Sequence, residues 1–234
     1  MSSSLGHMPQ SEKWAFDTSV TDVFEDMLAR SIPQYEVMRQ AVFDIARDYV
    51  QPQTAIIDLG CSRGDALAPF VMRYTEQNTC IGIEVSESML ASAQERFGKR
   101  ADIRALDLRK AYPQEQASVT LSILTLQFTP IEYRQRLVRE IFKHTVPGGI
   151  FILVEKLLGA TAEIDSTLVK HYYALKSRNG YSVEEIERKR FSLEGVLVPV
   201  TAKWNEELLH MAGFSQIDCF WRYLNFAGWI AIRE

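Results

Sequence analysis

From Thr18 to Val50 the apolar positions recur at helical spacing. Val20, Val23, Phe24, Met27 and Leu28 make one stripe. After Ser31 and Pro33, a second stripe runs through Tyr35, Met38, Val42, Ile45 and Ala46. The period then changes. Thr54-Ala55-Ile56-Ile57-Asp58-Leu59 is a short apolar run that ends in glycine, as a strand buried on both faces does. The spacing predicts a helix over Ala66 to Tyr74, a second buried strand at Cys80-Ile81-Gly82-Ile83-Glu84, and a helix from Ser86 to Phe97 capped by Ser86. Strands are predicted around Ile103 and from Val119 to Leu126, then a helix from Pro130 to Phe142. Pro147-Gly148-Gly149 is read as a break before a strand over Ile150 to Glu155. Strands alternating with helices imply an α/β chain with a parallel, doubly wound sheet. Phe214 to Phe220 and Asn225 to Ile232 read as an antiparallel hairpin at the end of that sheet. The expected organisation is a loose tail over 1–13, N-terminal helices over 14–50, a ligand-binding core over 51–159, a helical cap over 160–212 and a closing hairpin over 213–234. Ligands of open α/β sheets bind at the carboxyl ends of the strands, beneath such a cap.

Composition narrows the function. With 47% hydrophobic residues and 24% charged, the chain has the apolar mass for a sizeable core. A net charge of −4 argues against bulk attraction to nucleic acid. Cys61, Cys80 and Cys219 are too few and too scattered for a disulfide framework or a metal site, and no metal is expected. No apolar run is long enough for a membrane span, and a cytoplasmic location is expected.

The chemistry concentrates at Asp58-Leu59-Gly60-Cys61-Ser62-Arg63-Gly64, between the first strand and the next helix. Gly60 and Gly64 permit a tight turn and close approach to a ligand. The lysine-serine pair of a phosphate loop is missing, and so is the middle glycine of a dinucleotide fingerprint. Glu84 ends the second strand, where a carboxylate can accept both hydroxyls of a ribose. Asp107 follows the third strand, placed to meet an adenine edge. Carboxylates at successive strand ends favour an adenosine pocket. The turn also matches the Gly-x-Ser-x-Gly elbow of serine hydrolases, with Ser62 as nucleophile. Only two helices precede it, though, and His144, His171 and His210 make poor triad partners. Because Glu84 is expected to face a cleft, its loss is expected to cost affinity and little stability.

With these residues in place the chain resembles class I S-adenosylmethionine-dependent methyltransferases, a Rossmann-like fold. A closer resemblance runs from Trp14 almost to the end. Trp14-Ala15-Phe16-Asp17, Ser31-Ile32-Pro33-Gln34-Tyr35, Thr125-Leu126-Gln127-Phe128, Glu155-Lys156, Asn179-Gly180-Tyr181-Ser182, Lys189-Arg190 and Asn225-Phe226 resemble the carboxy-S-adenosylmethionine synthase family. The resemblance implies an enzyme that joins a carboxylate to the sulfonium methyl of S-adenosyl-L-methionine. It implies prephenate as donor, phenylpyruvate as by-product, and a carboxy-S-adenosyl-L-methionine product used in tRNA wobble-uridine modification. It also implies a homodimer and a ligand lined by Tyr35, Gly60, Cys61, Ser62, Glu84, Val85, Asp107, Leu108, Ile123 and Arg190. Glu84 replaces the family's aspartate. Ile123 and Val85 each stand where the family has asparagine. A conventional methyltransferase acting on a small molecule or nucleic acid is the alternative, and a non-catalytic binder of the cofactor a third.

Arg190 is the expected catalytic residue. Ser182 and Glu185 have capping-box spacing, and Val183, Ile186, Arg190 and Leu193 follow at steps that share one helix face. A guanidinium on a buried face needs an anionic partner. The residues alone favour a structural pair with a carboxylate such as Glu155; the resemblance favours a planar fork on the carboxylate of the ligand. Phe128, Trp204, Trp221 and Trp229 read as core. Lys156 reads either as a surface cation or as a contact to a dianionic donor. His171, Tyr172 and Tyr173 fall on the cap.

Overall fold

The computed structural model describes residues 13–16 and 18–234. Residues 1–12 of the expected tail, and Asp17, lie outside the described residues. Lys13, assigned to that tail, is held: its ammonium donates to the Glu194 carbonyl at 2.7 Å, and the Trp14 N–H to that of Ser192 at 2.9 Å.

Two helices, α1 (Thr18–Ser31) and α2 (Tyr35–Ala46), come first. The core alternates β1 (Ala55–Leu59), α3 (Ala68–Tyr74), β2 (Thr79–Glu84), α4 (Glu87–Phe97), β3 (Asp102–Ala105), β4 (Ala117–Ile123), α5 (Ile131–His144) and β5 (Thr145–Leu158). Then follow α6 (Ala162–Arg178), α7 (Val183–Leu193), β6 (Val200–Thr201), α8 (Ala202–Ala212), β7 (Gln216–Tyr223) and β8 (Phe226–Ile232). The main sheet runs β3-β2-β1-β4-β5-β8-β7, with β6 paired to the end of β5. β1 to β5 are parallel; β8 is antiparallel to both β5 and β7. The order reverses between β1 and β4, which opens the crevice where such sheets bind ligands.

Alternation along the strands divides the core. Ile56, Val119, Ile150 and Ile152 face Met38, Val42, Phe70 and Ala93 on one side. Ile57, Leu59, Phe151 and Leu153 face Leu137, Val138, Ile141, Leu208 and Leu209 on the other. That period of two lets one strand serve both layers. Ser86 caps α4 through the Met89 N–H, and Ser182 with Glu185 forms the expected capping box.

Three expectations change. Pro147-Gly148-Gly149 lies within β5 as an irregularity, and pairing jumps from Ala117–Thr145 to Val119–Ile150. Proline is tolerated there because the ladder is already interrupted. The block over 160–212 divides: α6 and α7 lie toward the strand ends, whereas α8 packs beside α5 against the sheet. Its buried Leu208, Leu209 and Ala212 make an i, i+1, i+4 face that only the sheet could cover. Finally, the packed face of α7 carries Ile186, Lys189 and Leu193, while Val183 and Arg190 are exposed. Among the described residues no helix is long and apolar enough to cross a membrane, and no group of histidine, cysteine and carboxylate side chains could hold a metal.

Candidate functional site

A cavity of about 370 Å³ opens at the carboxyl ends of β1, β2 and β4, roofed by α1, α2, α6 and α7. That size suits a nucleoside-sized ligand. Tyr35, Gly60, Cys61, Ser62, Glu84, Val85, Asp107, Leu108 and Ile123 all line it. Arg190 does not. Its guanidinium lies 4.0 Å from the centre of the exposed Phe191 ring, and the buried Glu155 faces Arg134 instead. Within this chain Lys189, one residue earlier, is the α7 cation that turns into the cavity.

The glycine turn is fixed by two kinds of constraint. Gly60 and Gly64 hold φ of 68° and 80°, a region that penalises a Cβ. A Cβ on Gly60 would meet Thr125 Cγ2 at 2.4 Å, and one on Gly64 the Phe97 ring at 2.2 Å. Ser62 and Leu124 also adopt positive φ, 50° and 60°, so both loops facing the cavity store backbone strain. The Leu124 N–H donates to Val154 at 2.7 Å, which holds the second loop in place. Arg134, fully buried, donates to the carbonyls of Thr129, Gln127 and Val198 and braces the same loop from behind.

The acidic groups have distinct environments. Glu84 Oε2 accepts from the Ser62 N–H at 2.9 Å; Oε1 accepts from Val85 at 2.7 Å and Ser86 at 2.9 Å. An ionised carboxylate has about four acceptor sites. Three are therefore committed, and one ribose hydroxyl rather than two can be served without rearrangement. The carboxylate also ties the glycine turn to the end of β2, a stabilising role the sequence did not reveal. Asp107 is gripped by Arg109 through both carboxylate oxygens, each at 2.9 Å, which holds its pKa below the usual range. Asp58, buried at the end of β1, was missed as a site residue. Its Oδ2 has no hydrogen-bond partner among the described residues, and burial pushes its pKa up to about 7 despite Arg39 nearby. The signal was available in its place two residues before Gly60. Arg39 also donates to the Tyr35 hydroxyl at 3.2 Å and to the Asp65 carbonyl.

Nucleophilic chemistry finds no support. Cys61 is buried against Gly82, and burial raises its thiol pKa far above the ordinary value. His171 and His210 are exposed, and His144, at the end of α5, packs at a tilt against Tyr112, so none lies beside Ser62. Trp221 and Trp229 are core residues, but Phe128 lines the cavity with its edge against Phe16 at 5.3 Å between centroids.

Across β4 from the carboxylates the lining is basic and aromatic. Lys156, at the end of β5, and Lys189, on α7, both line the cavity. Lys156 Nζ lies 5.1 Å from the centre of the Tyr172 ring, and Lys189 Nζ 4.6 Å from that of Trp14. Burial lowers the pKa of both, for Lys189 to about 7.

The Methyltransferase domain family profile matches residues 56–149. The carboxy-S-adenosyl-L-methionine synthase of Methylococcus capsulatus is 38% identical over 228 residues, covering 95% of this chain and 94% of that protein. That of Trichodesmium erythraeum is 34% identical over 230 residues, covering 97% and 91%. Among solved structures, a phosphoethanolamine N-methyltransferase 2 of Haemonchus contortus in complex with S-adenosyl-L-methionine superposes with a TM-score of 0.65 at 12% identity, covering 93% of this chain and 57% of that one. DesVI of Streptomyces venezuelae gives 0.61 at 13%, covering 94% and 100%. At such identities these structures speak to the fold alone, which is that of the class I methyltransferases.

Proposed function

The chain belongs to the carboxy-S-adenosyl-L-methionine synthase family and is an S-adenosylmethionine-dependent transferase; we propose that it joins a carboxylate to the sulfonium methyl, with prephenate as the donor. The observation that carries this reading is the cavity's division of charge. Asp58 and Glu84 line it on the β1–β2 side, and Lys156 and Lys189 on the β5–α7 side. A cationic sulfonium and an anionic donor suit opposite ends of such a cavity.

The residues fit the ligand. Glu84 offers its free acceptor site to a ribose hydroxyl. The unpartnered Asp58 carboxyl offers a buried oxygen to an ammonium, as a buried polar group needs a partner. Val85, Leu106, Leu108 and Ile123 supply apolar walls, and Gly60 leaves room for close backbone approach. When bound, the sulfonium supplies a methyl carbon that exchanges one proton for carbon dioxide, and prephenate releases that carbon dioxide together with hydroxide on becoming phenylpyruvate. The chain's contribution is to hold the two reactants face to face and to exclude water that would scavenge the base.

Arg190 is proposed to hold the new carboxylate. It is exposed in its own chain, so that role requires a second copy to present it, in keeping with the proposed homodimer. A cytoplasmic location and delivery of the product to a tRNA-modifying enzyme are the further parts of this proposal. The mass of the ligand that copurifies tests the reading. A species heavier than S-adenosylmethionine by one carbon dioxide is expected, formed anew when prephenate is supplied. Transfer of the methyl group to an acceptor, with no carboxylated product, would support a conventional methyltransferase instead.

A further inference from the structure

Lys156 and Lys189 belong to a larger group. Lys176, on α6 and only 4% exposed, stands behind the cavity wall with its Nζ 5.6 Å from the centre of the Tyr172 ring and 5.1 Å from that of Tyr181. Tyr172 is thus shared by Lys156 and Lys176. Among the described residues none of the three ammonium groups has a hydrogen bond or ion pair. Elsewhere in this chain cations close to the cavity are committed: Arg109 to Asp107, Arg39 to Tyr35 and the Asp65 carbonyl, Arg134 to three carbonyls. Three lysines turned inward without a hydrogen bond or an ion pair are costly. Aromatic faces recover only part of the lost hydration, and the like charges repel. A cluster built this way is completed by an anion that arrives from outside.

We propose that Lys156 and Lys189, backed by the charge of Lys176, form the binding site for a dicarboxylate, the donor substrate, on the β5–α7 side of the cavity. This rests on the carboxyl-transfer reading for the identity of the donor, but the site itself is defined by the lysines. Two ammonium groups lining the same side of the cavity favour a ligand with two carboxylates over one with a single carboxylate. The buried third charge adds field without contact, so it strengthens anion binding with little effect on geometry. The charged and titratable groups facing the cluster are Asp165 toward Lys156, Glu185 toward Lys176, and the phenols of Tyr172, Tyr173 and Tyr181. Burial and the neighbouring lysines leave Lys176 and Lys189 with pKa values of about 8 and about 7. Binding of a dianion at pH 8 therefore recruits protons to the cluster.

The test uses the full chain with malonate as an unreactive dicarboxylate, acetate as a monoanion control, and prephenate in the turnover assay. In Lys156→Met and Lys189→Met the malonate Kd and the prephenate KM are expected to rise about tenfold or more, and in Lys176→Met a few-fold. S-adenosylmethionine affinity stays within about twofold, and Lys189→Arg restores part of the malonate affinity. Calorimetry of malonate binding in two buffers of different ionisation heat is expected to show proton uptake at pH 8 that Lys189→Met reduces. Unchanged malonate and prephenate parameters in the folded Met variants would overturn the assignment, as would an equal loss of S-adenosylmethionine binding. If the wild type binds malonate through these lysines yet makes no carboxylated product, the site stands and the carboxyl-transfer reading falls; carboxylation that is indifferent to the lysines gives the reverse.

Discussion

Glu84→Ala is expected to loosen the empty protein as well as its grip on the ligand. The carboxylate accepts three backbone N–H donors, from Ser62, Val85 and Ser86, at 2.7 to 2.9 Å. Hydrogen bonds to a charged group contribute about 1.5–3 kcal/mol each after exchange with water. The side chain borders an open cavity, so water can replace part of that loss, and a net cost of about 3 kcal/mol follows for the unliganded fold. In a domain of this size such a change lowers Tm by roughly 6–12 °C. Affinity falls further. The remaining acceptor site is lost and the glycine turn is no longer pinned, which together weaken S-adenosylmethionine binding by a further ~1–3 kcal/mol, or about 5- to 150-fold. Glu84→Gln keeps the length of the chain but turns an amide N–H₂ toward one of the donors, so it falls between wild type and alanine. The assays are thermal unfolding without ligand and calorimetric titration with it. An alanine variant that melts within about 1 °C of the wild type without ligand would refute the view that this carboxylate knits the turn to β2.

Other outcomes follow from the same geometry. Gly60→Ala must fit a Cβ against Thr125 at positive φ; it is expected to cost about 1–3 kcal/mol in denaturant unfolding and to abolish measurable cofactor binding. Asp58 has a folded pKa of about 7 against an ordinary 3.8. The native state keeps its proton longer, so the stability it contributes is present below about pH 4 and is lost as pH rises through 7. Asp58→Asn should therefore flatten the pH profile of unfolding over that window, by at most about 4 kcal/mol, while weakening cofactor binding; a variant profile that falls as steeply as the wild type's between pH 4 and 7 would place the titration elsewhere. Arg190→Lys loses the planar fork and is expected to weaken the carboxylated cofactor about thirtyfold more than S-adenosylmethionine, with Tm unchanged. Equal effects on both ligands would remove Arg190 from carboxylate recognition.

What the sequence disclosed depended on whether a property was local. The buried strands announced themselves as apolar runs closed by Gly60 or Glu84, and the caps at Ser86 and Ser182 follow from spacing alone. The ligand-facing residues around the glycine turn were legible because strand ends are legible. The choice between Lys189 and Arg190 was not. Ile186 and Leu193 are in helical step with both, and only the placement of α7 over the cavity decides which cation turns inward. The isolation of Asp58, the three donors on Glu84 and the bracing of the second loop by Arg134 all depend on partners distant in sequence. The division of the block over 160–212, with α8 joining α5, depends on which layer had an uncovered apolar face.

β8 lies inside the sheet, between β5 and β7, and its pairing joins Ile150 to Ile232. That pairing has proteostatic consequences. Until β8 docks, Ile150-Phe151-Ile152-Leu153-Val154 presents a bare, uncharged edge of high β propensity, the kind of segment that recruits other chains. Contacts so far apart in sequence form late, which prolongs that exposure. The turn that lets β8 fold back, at Leu224 with φ of 48° and the buried Asn225 whose carbonyl accepts from Leu157 at 2.7 Å, thus acts as a safeguard against aggregation during folding. Lesions there should lower soluble yield before they touch catalysis.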